Sequence, residues 1–179
     1  MLDNLGLTAV QVRLPEELTD LQGLILPGGE STTLIALLNR WRLTDPLIQL
    51  ARGGLPVLGT CAGAVLLSST VSEREHDIEQ ERLGLVDVEV IRNRFGRQTR
   101  SFTEMLSVDG LSSPFPGVFI RAPLLVPTSE KTVVLAEIEE GPVLLRQDNL
   151  WLTSFHPELT TDNRIHRMFI TESGIAASI

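Results

Sequence analysis

The chain has 179 residues, with 15 lysines and arginines against 23 aspartates and glutamates for a formal net charge of −8; 42% of its residues are hydrophobic and 4% aromatic. That length and apolar content suit a single domain over residues 1–179 with a sizeable core and exclude a disordered chain. A sequence pI near 4.9 and no lysine or arginine cluster remove the electrostatic footprint of a nucleic-acid binder or a polybasic membrane anchor.

Residues 7–13 alternate apolar and polar as a strand does, and residues 14–21 read as a short helical turn with Pro15 near its start. Residues 22–26 form a short apolar run of the kind buried on both faces of a sheet, closed by Pro27-Gly28-Gly29. The period then changes. A helix starts with the cap-type residues Ser31, Thr32 and Thr33 and runs to Trp41, and a second opens at Asp45-Pro46 and ends at Gly53-Gly54. Residues 55–59 are again an apolar strand, and residues 62–67 a helix. Strands alternating with helices predict an α/β fold, in three layers, with a mostly parallel central sheet flanked by helices.

The polar run 72–80 reads as a solvated loop with no catalytic role. Beyond it, strands are predicted over 85–91, 104–108, 118–121, 133–138, 143–146 and 150–155, and a last helix over 162–171. No repeat or linker divides the chain. Cys61 has no partner for a disulfide, and no Cys/His ladder offers a metal site, which fits a reducing cytosol. The start lacks the pattern of a signal peptide, and no apolar stretch approaches the roughly 18 residues of a membrane span, so a cytoplasmic protein is expected.

The strongest local signal is Gly59-Thr60-Cys61-Ala62-Gly63, between a predicted strand and a predicted helix. It is the cysteine version of a nucleophile elbow, in which flanking glycines permit a tight turn and leave the central side chain exposed above the sheet. There the unpaired N–H groups at the helix start favour the thiolate. A buried, inert cysteine is the bland alternative, and the paired glycines weigh against it. A thiol nucleophile needs a base, and the chain offers His76, His156 and His166. His76 lies in the charged run and His166 in the last helix. His156 follows an apolar strand, and Pro157 holds the chain so that Glu158, two residues on, points the same way. A carboxylate there fixes the imidazole tautomer and stabilises the imidazolium. The third motif is Leu26-Pro27-Gly28-Gly29-Glu30-Ser31-Thr32, where adjacent glycines let the backbone approach a ligand. The backbone N–H groups of Gly29 and Ala62 are candidates for an oxyanion hole. A phosphate cradle would need the lysine of a P-loop, which is absent, whereas Ser31 or Thr32 could cap the helix whatever else the loop does.

These three elements in this order resemble the class I (triad) glutamine amidotransferases, whose fold is flavodoxin-like. Within them, Leu24 to Thr33, the cysteine elbow, Arg92-Asn93-Arg94-Phe95-Gly96-Arg97-Gln98, Phe119-Ile120-Arg121-Ala122-Pro123 and Phe155-His156-Pro157-Glu158-Leu159-Thr160 resemble the glutaminase subunits of pyridoxal 5'-phosphate synthase. The resemblance implies that Cys61 attacks L-glutamine, with His156 as base and acid and Glu158 orienting it. It implies a substrate site of Gly29, Glu30, Ser31, Arg92, Ile120 and Arg121, with arginines suited to a carboxylate and Glu30 to an ammonium. It also implies that ammonia passes to a separate synthase subunit in a hetero-oligomer, and that this chain needs no cofactor or metal of its own. Family members begin with a strand, a Leu-Gln-Gly turn and a helix, and this chain starts after them. Two alternatives follow: an impaired, truncated subunit that only docks on the synthase, and a cysteine hydrolase of similar fold acting on another γ-glutamyl substrate.

Overall fold

The computed structural model describes residues 1–73, 76–77, 80–92 and 101–176. The apolar run after Gly23 forms β1 (Leu24–Leu26), and the loop of Pro27, Gly28 and Gly29 leads into helix α1 (Ser31–Arg40), then α2 (Thr44–Arg52). β2 (Val57–Thr60) runs straight into α3 (Ala62–Leu67). There follow β3 (Ser68–Glu73), β4 (His76–Asp77), β5 (Val86–Arg92), β6 (Phe102–Leu106), β7 (Phe115–Phe119), β8 (Leu124–Pro127), β9 (Val133–Ile138), β10 (Gly141–Gln147), β11 (Leu150–Thr153) and α4 (Arg164–Glu172).

The central sheet has the order β1-β2-β11-β10-β9. β1 pairs with β2 and β2 with β11 in parallel, while β10 is antiparallel to both its neighbours. Successive residues of a strand point to opposite faces, and here both faces are apolar because both are covered. Leu26, Val57, Leu145 and Leu152 pack with Ile35 of α1, Ala51 of α2 and the buried α3. Leu58, Leu144 and Trp151 point the other way, onto Ile165, Phe169 and Ile170 of α4. Two helical layers therefore enclose the sheet, the α/β arrangement expected from the sequence. A second sheet, β4-β3-β5-β8, and the two-stranded β6-β7 lie beside it.

Three expectations fail. The central sheet, expected to be mostly parallel, is mixed, with two parallel and two antiparallel pairings. Residues 7–13 form no strand. They line one side of a groove of about 1030 Å³ whose other side includes β1, and an alternating pattern becomes a strand only where a neighbour supplies backbone partners. The described part of the run 72–80 is not a solvated loop either. Its start completes β3, which pairs with β4 through Ser72↔Asp77 and Glu73↔His76, and Ser72 and Gln80 are buried. Ser72 is accommodated because its Oγ donates to Glu89 Oε1 at 2.6 Å. Among the described residues no helix is long and apolar enough to cross a membrane.

Candidate active site

Three loops meet at one end of the central sheet because they follow three adjacent parallel strands: the glycine loop after β1, Cys61 after β2, and the turn carrying His156 and Glu158 after β11. Neighbouring strands lie about 4.8 Å apart, so residues far apart in sequence leave the sheet side by side. The carboxyl ends of parallel strands are where α/β folds place ligands.

The elbow is built by closeness. A Cβ on Gly59 would sit 2.7 Å from the Gly63 carbonyl carbon, and one on Gly63 would sit 2.1 Å from the Leu26 carbonyl oxygen. The paired glycines therefore let α3 pack against β1 and β2, rather than supplying the turn as the motif suggested. The unusual backbone conformation belongs to Cys61 itself, with φ 49° and ψ −101°. Its N–H donates to the Thr153 carbonyl at 2.8 Å, and its carbonyl accepts from the Val65 N–H at 3.1 Å. Cys61 is only 8% exposed, so the thiol opens into a cleft instead of standing free above the sheet.

That cleft, of about 180 Å³, is lined by Gly29, Glu30, Ser31, Cys61, Ala62, Val65, Arg92, Ile120, Arg121, Pro123 and His156. It is smaller than the roughly 300 Å³ at which drug-sized sites begin, a size for an amino-acid-sized ligand. The structure thus gathers every site residue proposed from sequence around one opening, with Glu158 behind His156. It adds Val65 and Pro123, which carry no chemical signature. Of the run from Arg92 to Gln98, only Arg92 lies within the described residues.

His156 is held from both sides. Its N–H donates to the Val118 carbonyl at 2.8 Å, and Nδ1 lies 2.8 Å from Glu158 Oε1. The Cε1 edge of the ring abuts the glycine loop, where a Cβ on Gly28 would come within 2.3 Å of Cε1. The Cys61 sulfur and then the Glu158 carboxylate raise the His156 pKa from 6.5 to about 9, against the opposing effect of burial. Burial alone would raise Glu158, but its hydrogen bond with His156, its own backbone N–H and the charges of His156 and His166 leave it lowered. His166, set aside in the sequence, is buried in α4, and burial lowers its pKa while Glu158 opposes that. The side chain of His76 lies outside the described residues.

The opposite wall carries charge of both signs. Glu30 Oε1 lies 3.7 Å from Arg92 Nη2 and accepts from the Thr32 N–H and hydroxyl at 3.4 and 3.2 Å. Glu30, and not Ser31 or Thr32, is therefore the cap of α1. Gly29 has φ +143°, where a side chain is strained. Arg121 stands at φ 46°. Neither the Gly29 nor the Ala62 N–H donates to another backbone group among the described residues, so both remain available to an anionic oxygen. The arrangement offers a nucleophilic sulfur, a proton carrier with an acidic support, two free N–H donors, and a wall suited to a zwitterion.

A model of the SNO glutamine amidotransferase family matches residues 1–174. The chain is 47% identical over 170 residues to a protein of Thermosipho africanus named pyridoxal 5'-phosphate synthase subunit PdxT, covering 95% of this chain and 88% of that one. It is 50% identical over 172 residues to a protein of the same name from Dehalococcoides mccartyi, covering 95% and 87%. A crystal structure described as a glutamine amidotransferase superposes with a TM-score of 0.89 at 44% identity, covering 97% of this chain and 90% of that one.

Proposed function

The chain belongs to the SNO glutamine amidotransferase family, and from that premise we propose that it is the glutaminase subunit of pyridoxal 5'-phosphate synthase, a cytoplasmic single-domain enzyme that hydrolyses L-glutamine and delivers the ammonia to a synthase subunit. The observation that carries the reading is His156 set between Cys61 and Glu158 at a cleft with charges of both signs.

Glutamine lies with its α-carboxylate toward Arg92 and Arg121 and its ammonium toward Glu30, which leaves the side-chain amide at Cys61. Sγ attacks the amide carbon with the proton that it shares with His156 carried on Nε2, the nitrogen turned away from Glu158. The developing oxyanion meets the N–H groups of Gly29 and Ala62. A pKa near 9 keeps that proton on the imidazole at neutral pH, and its transfer to the departing nitrogen breaks the C–N bond and releases ammonia. Water, deprotonated by His156, then attacks the thioester carbon; the C–S bond breaks, glutamate leaves and the sulfur recovers its proton. Ammonia is mostly protonated in neutral water and then not nucleophilic, which is the physical reason to hand it directly to a partner. Glutamate release in the presence of the synthase subunit tests the reading: it should collapse in Cys61→Ala, and equal release from both proteins would refute the assignment of the nucleophile.

A further inference from the structure

We infer that Gln80, outside the cleft, is a positioning residue for substrate: its amide oxygen holds the Arg92 guanidinium in the orientation that faces glutamine. The inference rests on the reading of Arg92 as a substrate contact.

Gln80 is 7% exposed and lies at the end of a run whose composition announces solvent. Its Oε1 accepts from Arg92 Nη1 at 3.2 Å. Its own backbone is fixed in turn, since its carbonyl accepts from Arg82 Nη1 at 2.7 Å while Arg82 Nε donates to the Ser69 carbonyl of β3 at 2.7 Å. A chain of contacts therefore runs from β3 through Arg82 and Gln80 to Arg92, the last residue of β5, and ends where Nη2 approaches Glu30.

Two physical points separate positioning from packing. An arginine side chain carries about 2 kcal/mol of rotamer entropy, so a guanidinium meant to receive a carboxylate benefits from a partner that occupies Nη1 and aims the rest. A neutral amide oxygen does this without cancelling the positive charge, as a carboxylate would. Moreover, Gln80 Nε2 is buried with no hydrogen-bond partner among the described residues. An orphaned buried donor costs stability, and an apolar side chain of the same length would avoid that cost. Filling space does not explain the amide; its oxygen does.

Steady-state glutaminase kinetics in complex with the synthase subunit test this on the parent, Gln80→Met, Arg92→Ala and the double variant. Gln80→Met should raise KM for glutamine about three- to tenfold, the range of one hydrogen bond, leave kcat within about twofold, and unfold no earlier than the parent. The same substitution should add nothing to KM once Arg92 is alanine. Gln80→Asn keeps the amide but withdraws it by one methylene, and should give the same rise in KM in a side chain that any tolerant fold accepts. An unchanged KM in Gln80→Met and Gln80→Asn, with KM raised in Arg92→Ala, overturns the inference and leaves the cleft reading standing. Additive effects in the double variant overturn it as well, because Gln80 would then act elsewhere. If Arg92→Ala leaves KM unaltered, the reading of Arg92 fails and the inference falls with it.

Discussion

Gly28→Ala is the sharpest test of the geometry, because it adds one methyl group at a place the chemistry does not touch. The new Cβ would lie 2.3 Å from His156 Cε1 and 2.9 Å from Nδ1, whereas ordinary contact begins at 3.4 Å, so the ring must recede by about 1.1 Å. It cannot swing away freely, since the His156 backbone is tied to Val118 and the ring to Glu158. The edge that meets the methyl carries Nδ1, so the same movement disturbs the bond to Glu158. A misplacement of about 1 Å in catalytic machinery costs on the order of 100-fold in rate, and overpacking of this size costs about 1–3 kcal/mol in stability. Glutamate release at saturating glutamine, in complex with the synthase subunit, should therefore fall by roughly two orders of magnitude while circular dichroism reports a folded chain. If kcat stayed within about threefold of the parent, the ring would not be where the structure places it and the assignment of His156 would lose its basis.

Further outcomes follow from the same site. In the parent, activity should decline as pH passes about 9, where His156 gives up the proton it donates to the leaving group. Glu158→Gln removes the carboxylate that helps hold that pKa up, so the alkaline limb of its kcat profile should move toward lower pH; an unmoved limb would refute the coupling. Stability has the same sign. His156 is raised in the folded state, so its contribution is complete below about 6.5 and is lost as pH rises through about 9, and His156→Asn should flatten the alkaline fall in urea midpoint. Gly63→Ala would place its Cβ 2.1 Å from a backbone oxygen, a clash no rotamer relieves, and should cost more than about 4 kcal/mol in urea unfolding; a parental midpoint would contradict the packing. At Cys61, where φ is 49°, Cys61→Gly should be more stable than Cys61→Ala by about 1 kcal/mol, reversing the usual order in which Gly is the weaker residue. Equal or inverted midpoints would show that the elbow carries no strain.

Much of the architecture was legible because it depends on patterns that a chain must carry openly. Buried strands need apolar runs, and residues 24–26, 57–59 and 150–152 have them; α3 starts and ends where its residues say it should. Cys61, His156 and Glu158 were legible for a different reason, since few side chains can perform that chemistry and their local settings are distinctive. What could not be read depends on neighbours brought from elsewhere. Residues 7–13 have the alternation of a strand and no ladder, and a period of two does not say whether a partner exists. Gln80 and Ser72 sit in a polar run and are buried, because Arg92 and Glu89 come to meet them. Glycine is the clearest case. Gly28, Gly29 and Gly63 look alike in sequence, yet one yields room to a ring, one adopts a positive φ and one lets a helix touch a strand.

The two strained residues of the cleft show how this fold accommodates reactivity. Cys61 and Arg121 both stand at positive φ without being glycine, a cost of about 1–3 kcal/mol each. Around Cys61 the surroundings leave little alternative. Its N–H is engaged by β11, its carbonyl opens α3, and all six residues of α3 are buried, so relaxing one φ angle would mean withdrawing a helix from the core. The same constraint directs the side chain toward His156 instead of into the sheet. A glycine there would ease the backbone and remove the sulfur. Stability and chemistry therefore ask for different residues at position 61, and burial of the elements on either side, much larger in free energy than one strained dihedral, lets the chain keep the less comfortable one.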